Sequence, residues 1–210
     1  MRTQWLQHRE ADRLIVIFGG WALGPAPFAH LTGAEDVLFV EDWRLLDHDL
    51  SECGAYARCD LIAHSFGVAA AGHWLAEQTA KDRPNPFTRK IAINGTLDPC
   101  HEQRGIPPEL VRATADQLDL ENLRRFCKRA GAPAPTAPDV SALRAELRAV
   151  LTRGPAPSPG FDRIWLGQGD RIFPPAALAL GWQDQHLPIT WLKAGHTPFS
   201  LWQHWSEVLA

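Results

Sequence analysis

Residues 61–68 read Leu-Ile-Ala-His-Ser-Phe-Gly-Val, and their types suggest nucleophilic chemistry. A serine hydroxyl is a poor nucleophile until a base sits beside it and the chain holds it clear of its own backbone. A sharp turn from strand to helix achieves this when small residues stand two places before and two places after the serine. Gly67 meets that demand, and Ala63 nearly meets it with a single methyl. Such a turn predicts an acid and then a histidine further along, each just past a later strand. Both are present, Asp170 in GQGDRIFPP and His196 in KAGHTPF. In this arrangement Asp170 fixes the imidazole tautomer, while His196 takes the Ser65 proton and passes it to the leaving group. The oxyanion of such an acyl transfer needs donors. The backbone N–H groups of Phe66 and of Trp21, the latter in the loop FGGWALG, are the candidates.

Each of these residues has a plainer use. Ser65 can serve as a helix cap, and an aspartate or histidine in a loop is commonly just solvated. His64 adjoins the serine, but a neighbour on a tight elbow projects elsewhere. Asp98, after INGTL, is a rival acid, and His186 and His204 are rival bases in or beside helical segments. What favours Ser65, Asp170 and His196 is their conjunction, in the required order, at strand ends.

The elements that must position them follow from apolar patterning. RLIVIF (13–18), DVLFVE (36–41), DLIAH (60–64), KIAIN (90–94), RIWLG (163–167) and ITWLK (189–193) are strand candidates. Most run continuously rather than alternating, which implies burial on both faces of a parallel sheet. Helices are expected over 66–80, 174–184 and 198–209, and TQWLQH suits an antiparallel edge strand. The alternation predicts an α/β fold: a mostly parallel open sheet flanked by helices, with its site at the carboxyl ends of the strands. Residues 99–160 carry no strand signal. Leu123, Phe126, Cys127 and Ala130 form one helical stripe, and Leu143, Leu147, Val150 and Leu151 another, separated by the proline-rich GAPAPTAPD. This stretch is expected to be a helical cap inserted over the strand ends of a single domain spanning 1–210.

Bulk composition narrows the function classes. The chain has 210 residues, 45% apolar and 21% charged, with a net charge of -3, so nothing in its charge points to nucleic acid. No apolar run approaches the roughly 20 residues that span a bilayer. The stretch MRTQWLQHREADR lacks the apolar core of a secretory signal. Cys53, Cys59, Cys100 and Cys127 form no C-x-x-C pair, which suits reduced, buried thiols in the cytoplasm and not a metal site. No metal or organic cofactor is implied.

These residues resemble the α/β-hydrolases, and within them the BioG-type pimeloyl-acyl carrier protein methyl ester esterases of biotin synthesis. The resemblance spans nearly the whole chain. It rests on FGGW (18–21), EDWR (41–44), LIAHSFGV (61–68), AINGTLDP (92–99), GIPP (105–108), FCKRAG (126–131), GDRIFPP (169–175) and GHTPF (195–199). It implies Ser65 as nucleophile, Asp170 as acid and His196 as base, with Trp21 and Phe66 at the oxyanion site. Phe66 stands where methionine or leucine is common in the family, which bears on the acyl pocket. EDWR resembles the family's Asp-aromatic-Arg element, for which an ion pair between Asp42 and Arg44 is the simplest use. The implied partner is an acyl carrier protein, which is acidic. Residues 99–160 hold nine Lys/Arg against seven Asp/Glu. Arg124, Arg125, Lys128 and Arg129, with Arg144 and Arg148, are the candidate receivers, although the same residues suit an ordinary solvated helix face. The triad alone does not separate a methyl esterase from a thioesterase or a general short-chain esterase. An inactive binding module on the same fold is a further alternative.

Overall fold

The continuous apolar runs find one another. In the computed structural model, which describes residues 1–210, the strands are β1 (Arg2–Gln7), β2 (Arg13–Phe18), β3 (Asp36–Glu41), β4 (Arg58–His64), β5 (Phe87–Ile93), β6 (Arg163–Gly167) and β7 (Ile189–Leu192). They form one seven-stranded sheet in the order β1-β3-β2-β4-β5-β6-β7. β1 pairs antiparallel with β3, and every other neighbouring pair is parallel. In β2, β3 and β4 both faces are covered, which is why alternation is missing from their sequence. Leu14, Val16, Phe18, Leu61 and Ala63 pack into the core on one face. Ile15, Ile17, Phe39 and Ile62 pack with Phe199, Trp202 and Trp205 on the other.

Helix α1 (Phe66–Ala80) follows β4 with no intervening loop but Ser65. Its opening FGVAAAG is buried throughout, so small side chains let it lie against the sheet. Gly67 is required there: a Cβ on it would stand 2.2 Å from the Phe18 carbonyl oxygen and 2.7 Å from that of Gly19.

Between β5 and β6 lie three helices, where sequence patterning indicates two: α2 (Pro108–Asp116), α3 (Leu120–Ala130) and α4 (Val140–Arg153). α2 is short and carries a narrow apolar stripe, Val111 and Ala115 at i, i+4 spacing. The Pro107-Pro108 entry and Glu109 in the first turn mark its start. α3 and α4 begin at aspartate caps: Asp119 accepts from the Asn122 N–H at 2.7 Å, and Asp139 from the Ala142 N–H at 2.9 Å. Gly131 ends α3 at φ 79°.

These helices are fastened to the sheet by polar side chains. Trp21 Nε1 donates to Leu143 O (3.0 Å), and Arg153 Nη2 donates to Trp43 O (2.7 Å). Thr197 Oγ1 lies 2.9 Å from Ala130 O and 2.8 Å from Gly131 O. Trp43 is the inner residue of EDWR. It stacks on Phe18 at 5.1 Å and donates from Nε1 to Gly19 O at 3.2 Å. Its own N–H donates to Glu146 Oε1 of α4 at 3.2 Å. Asp42 and Arg44 form a bidentate pair on either side of it, at 2.6 and 2.7 Å.

Helix α5 (Pro175–Trp182) follows β6. The helix expected over 198–209 is broken: a 3-10 turn spans Pro198–Leu201, and α6 spans only Trp205–Val208. In the gap the chain bridges to Thr32, whose N–H donates to Gln203 O while its carbonyl accepts from the Trp205 N–H, each at 3.0 Å. That pairing takes the backbone groups a continuous helix would use.

Candidate active site

Ser65 occupies the corner between β4 and α1 at φ 59°, ψ -128°. This region is nearly reserved for glycine and costs about 1–3 kcal/mol. Packing imposes it. The Ser65 N–H donates to Ile93 O at 2.9 Å, and a Cβ on Gly95 would stand 2.2 Å from Ser65 O. Its hydroxyl makes no capping bond to α1, so the plain reading of a helix cap does not describe it. Instead Oγ lies 3.0 Å from His196 Nε2.

His196, just beyond β7, is 1% exposed, and its Nδ1 lies 2.8 Å from Asp170 Oδ2. A carboxylate has no proton to give, so Nδ1 carries the hydrogen and Nε2 turns its lone pair toward the serine hydroxyl. Asp170, in the loop after β6, is fixed in turn: its Oδ1 accepts from the N–H groups of Ile172 (2.7 Å) and Phe173 (3.0 Å). Three loops from separate strand ends thus bring hydroxyl, imidazole and carboxylate into one hydrogen-bonded line.

The rivals lie elsewhere. Asp98 pairs with Arg104 at 3.2 Å, and His186 is exposed. His204 is exposed and lies 2.9 Å from Thr32 Oγ1. His64 points away from the serine, its Nε2 reaching the His196 carbonyl at 2.8 Å. Burial first, and the neighbouring His196 second, press its pKa down to about 3. It is a neutral ring inside the core.

Phe66 is the first residue of α1, so its N–H has no acceptor within the helix. The backbone N–H of Trp21 likewise donates to no protein group. A Cβ on Gly20, beside Trp21, would come within 3.1 Å of Ser65 Cβ. The loop after β2 therefore runs directly against the serine.

A cleft of about 470 Å³ adjoins this corner, lined by Trp21, Phe66 and Ile172 on the sheet side, by Val111, Phe126 and Leu147 from the three helices and by Leu118 between α2 and α3; Ser65, His196 and Asp170 do not themselves line it. Arg125, Arg129 and Arg171 also line it. Of the six basic residues singled out by sequence, these include only Arg125 and Arg129. Arg125 pairs with Glu121 one turn earlier, while Arg129 lies over the Phe126 ring at 5.9 Å. Arg124 and Lys128 are exposed on α3 away from the cleft lining. Arg144 is turned inward, its Nε donating to Leu118 O at 3.1 Å, and Arg148 pairs with Asp116 at 3.0 Å. Those two hold the helices to one another. Arg171 was missed by sequence reading, although it directly follows the acid.

Glu146 is the other residue that sequence patterning did not single out. It lies on the buried face of α4, and desolvation raises its pKa to about 8, the Trp43 N–H opposing the shift. Burial pushes the Cys100 thiol up to about 12 and the Cys127 thiol to about 11, away from the thiolate form. No helix is long and apolar enough to cross a membrane.

Comparison with known proteins follows the same lines. Residues 1–151 match the family model described as "Pimeloyl-ACP methyl esterase BioG". The solved structure of BioG from Haemophilus influenzae superposes with a TM-score of 0.84 at 26% identity, covering 100% of both chains. An uncharacterized protein of Haemophilus influenzae is 28% identical over 228 residues, covering 99% of each. A bromoperoxidase from Bacillus anthracis, at 12% identity and TM-score 0.63 over 93% of this chain and 88% of its own, shares the fold alone. A protein of Bacteroides fragilis named malonyl-[acyl-carrier protein] O-methyltransferase is 33% identical over 184 residues, 80% of this chain. The chain spans about a third of that relative's length, 36%. With its mostly parallel sheet and α/β-hydrolase fold, the chain belongs to the BioG family.

Proposed function

We propose that this protein is a serine esterase that hydrolyses the methyl ester of pimeloyl-acyl carrier protein methyl ester, releasing methanol and the free carboxylate for biotin synthesis. The observation that carries the reading is the line Ser65 Oγ, His196 Nε2, His196 Nδ1 and Asp170 Oδ2, with contacts of 3.0 and 2.8 Å, beside a largely apolar cleft that reaches Phe66 and Trp21. His196 takes the hydroxyl proton as Oγ bonds to the ester carbonyl carbon. The Trp21 and Phe66 N–H groups receive the oxyanion, and Asp170 stabilises the imidazolium. That imidazolium then protonates the departing methoxide, and a water activated by the same nitrogen releases the acid. Removing any one member of such a line leaves only a small residual activity.

Family membership supports the methyl ester as substrate. So does the Bacteroides relative, since a chain resembling this one forms part of a protein named for methylating a carrier-bound acyl group. Arg125, Arg129 and Arg171 along the cleft support an acyl carrier protein as partner, which an enzyme of the cytoplasm would meet.

Rescue of a biotin auxotroph that lacks its pimeloyl methyl ester esterase tests the reading, with Ser65→Ala as control. With purified protein, carrier-bound pimeloyl methyl ester should yield methanol; release of the carrier thiol instead would make the protein a thioesterase. Arg125→Glu with Arg129→Glu should raise KM for the carrier-bound ester and leave a small soluble ester unchanged. An equal effect on both substrates would reject a docking role for these arginines.

A further inference from the structure

The base is held to the nucleophile's strand a second time, through the main chain. His64 Nε2 donates to the His196 carbonyl at 2.8 Å. The same carbonyl accepts from Asn94 Nδ2 at 2.9 Å, and that amide also reaches Gly195 O at 2.9 Å. On its other side Asn94 Oδ1 accepts from the Gly167 N–H at 2.6 Å. Gly167 ends β6, three residues before Asp170. One fully buried amide therefore spans the two loops that carry the acid and the base, while the residue beside the nucleophile grips the base from the third.

The chemistry suits a permanent clamp. A carbonyl only accepts, so His64 carries its proton on Nε2, and the ring's depressed pKa keeps it neutral. Asn94 sits at φ 46°, a left-handed conformation that asparagine tolerates better than most residues. An imidazole's place is set by its own Cα, and a loop that shifts by about 1 Å at a reacting group can cost about 10²-fold in rate.

We infer that His64 and Asn94 are positioning residues that pin the His196 main chain so that its imidazole stays in line between Ser65 and Asp170. The inference rests on the esterase reading above and adds two residues that never touch the reacting atoms.

The test compares four variants with wild type. His64→Leu removes the donor, and His64→Gln keeps an amide donor of similar reach. Asn94→Gly removes the side chain at a φ that glycine accepts, and Asn94→Asp keeps the shape but sets a carboxylate against two carbonyls. With p-nitrophenyl butyrate, His64→Leu, Asn94→Gly and Asn94→Asp should lose about 10²-fold in kcat with KM little changed. His64→Gln should recover most of the loss. The low-field proton resonance of His196 Nδ1–H, which reads the bond to Asp170 without turnover, should weaken in the same three variants and persist in His64→Gln. Kcat within about threefold of wild type in folded His64→Leu and Asn94→Gly would overturn the inference; so would an unmoved resonance. If His64→Leu does not fold, the Asn94 pair decides. A wild type that cleaves the small ester but not the carrier-bound methyl ester would remove the substrate assignment and leave the clamp standing.

Discussion

Gly67→Ala gives the most exacting test of the corner at Ser65. The added methyl would lie 2.2 Å from Phe18 O and 2.7 Å from Gly19 O. Both are backbone atoms of β2 and its loop, so no side chain can swing aside. Ordinary contact requires the first turn of α1 to retreat by about 1 Å. The retreat carries Ser65 and the Phe66 N–H with it, while His196 stays with β7. Overpacking of this kind costs about 1–3 kcal/mol of stability, and the displaced hydroxyl and donor should cost about 10²-fold in kcat. Gly72→Ala is the matched control. Its methyl would also strike a backbone oxygen, Pro157 O at 2.5 Å, but about 7.5 Å further along the helix. Both variants should therefore lose comparable stability in thermal melts, and only Gly67→Ala should lose turnover of p-nitrophenyl butyrate. A folded Gly67→Ala protein with kcat near wild type would show that the helix's approach to β2 does not set the serine's position.

Asp170→Asn should leave the fold intact but let the amide donate to Nδ1, favouring the wrong tautomer, with kcat falling by about 10⁴-fold; steady-state kinetics beside an unchanged melting temperature checks this. Glu146→Gln probes the buried carboxyl of α4. Its folded pKa of about 8 stands above the usual 4.5, so its stability contribution is complete below pH 4.5 and is lost as pH rises toward 8. The glutamine variant should be free of this loss, gaining on wild type by up to about 1.4 kcal/mol per pH unit across that window. Parallel stability curves for the two proteins, from denaturant titrations at pH 5 to 8, would refute the shift.

The sheet was legible because burial on both faces leaves uninterrupted apolar runs such as RLIVIF and DLIAH, and a strand-turn-helix corner with flanking small residues is local in sequence. That Asp170 and His196 would meet Ser65 was legible by chain order. Long-range polar work was not. Nothing in the spacing of Asn94 tells that its amide bridges Gly167 and His196, although INGT stood out as a motif. Glu146 lies among leucines on α4, where only the proximity of the Trp43 N–H explains a carboxyl. Arg144 and Arg148 read like Arg125 and Arg129 on a helical wheel, yet Leu118 O and Asp116 claim them. The expected helix at 198–209 failed because a bridge to Thr32, far off in the chain, outcompetes local propensity.

The fastenings of the three helices have a consequence for what can get in. Swinging them aside would strand the carbonyls of Leu143, Ala130, Gly131 and Trp43, at about 1–3 kcal/mol for each left buried and unpaired. A roof pinned in this way resists being swung aside, so whatever enters must fit the cleft as its walls stand.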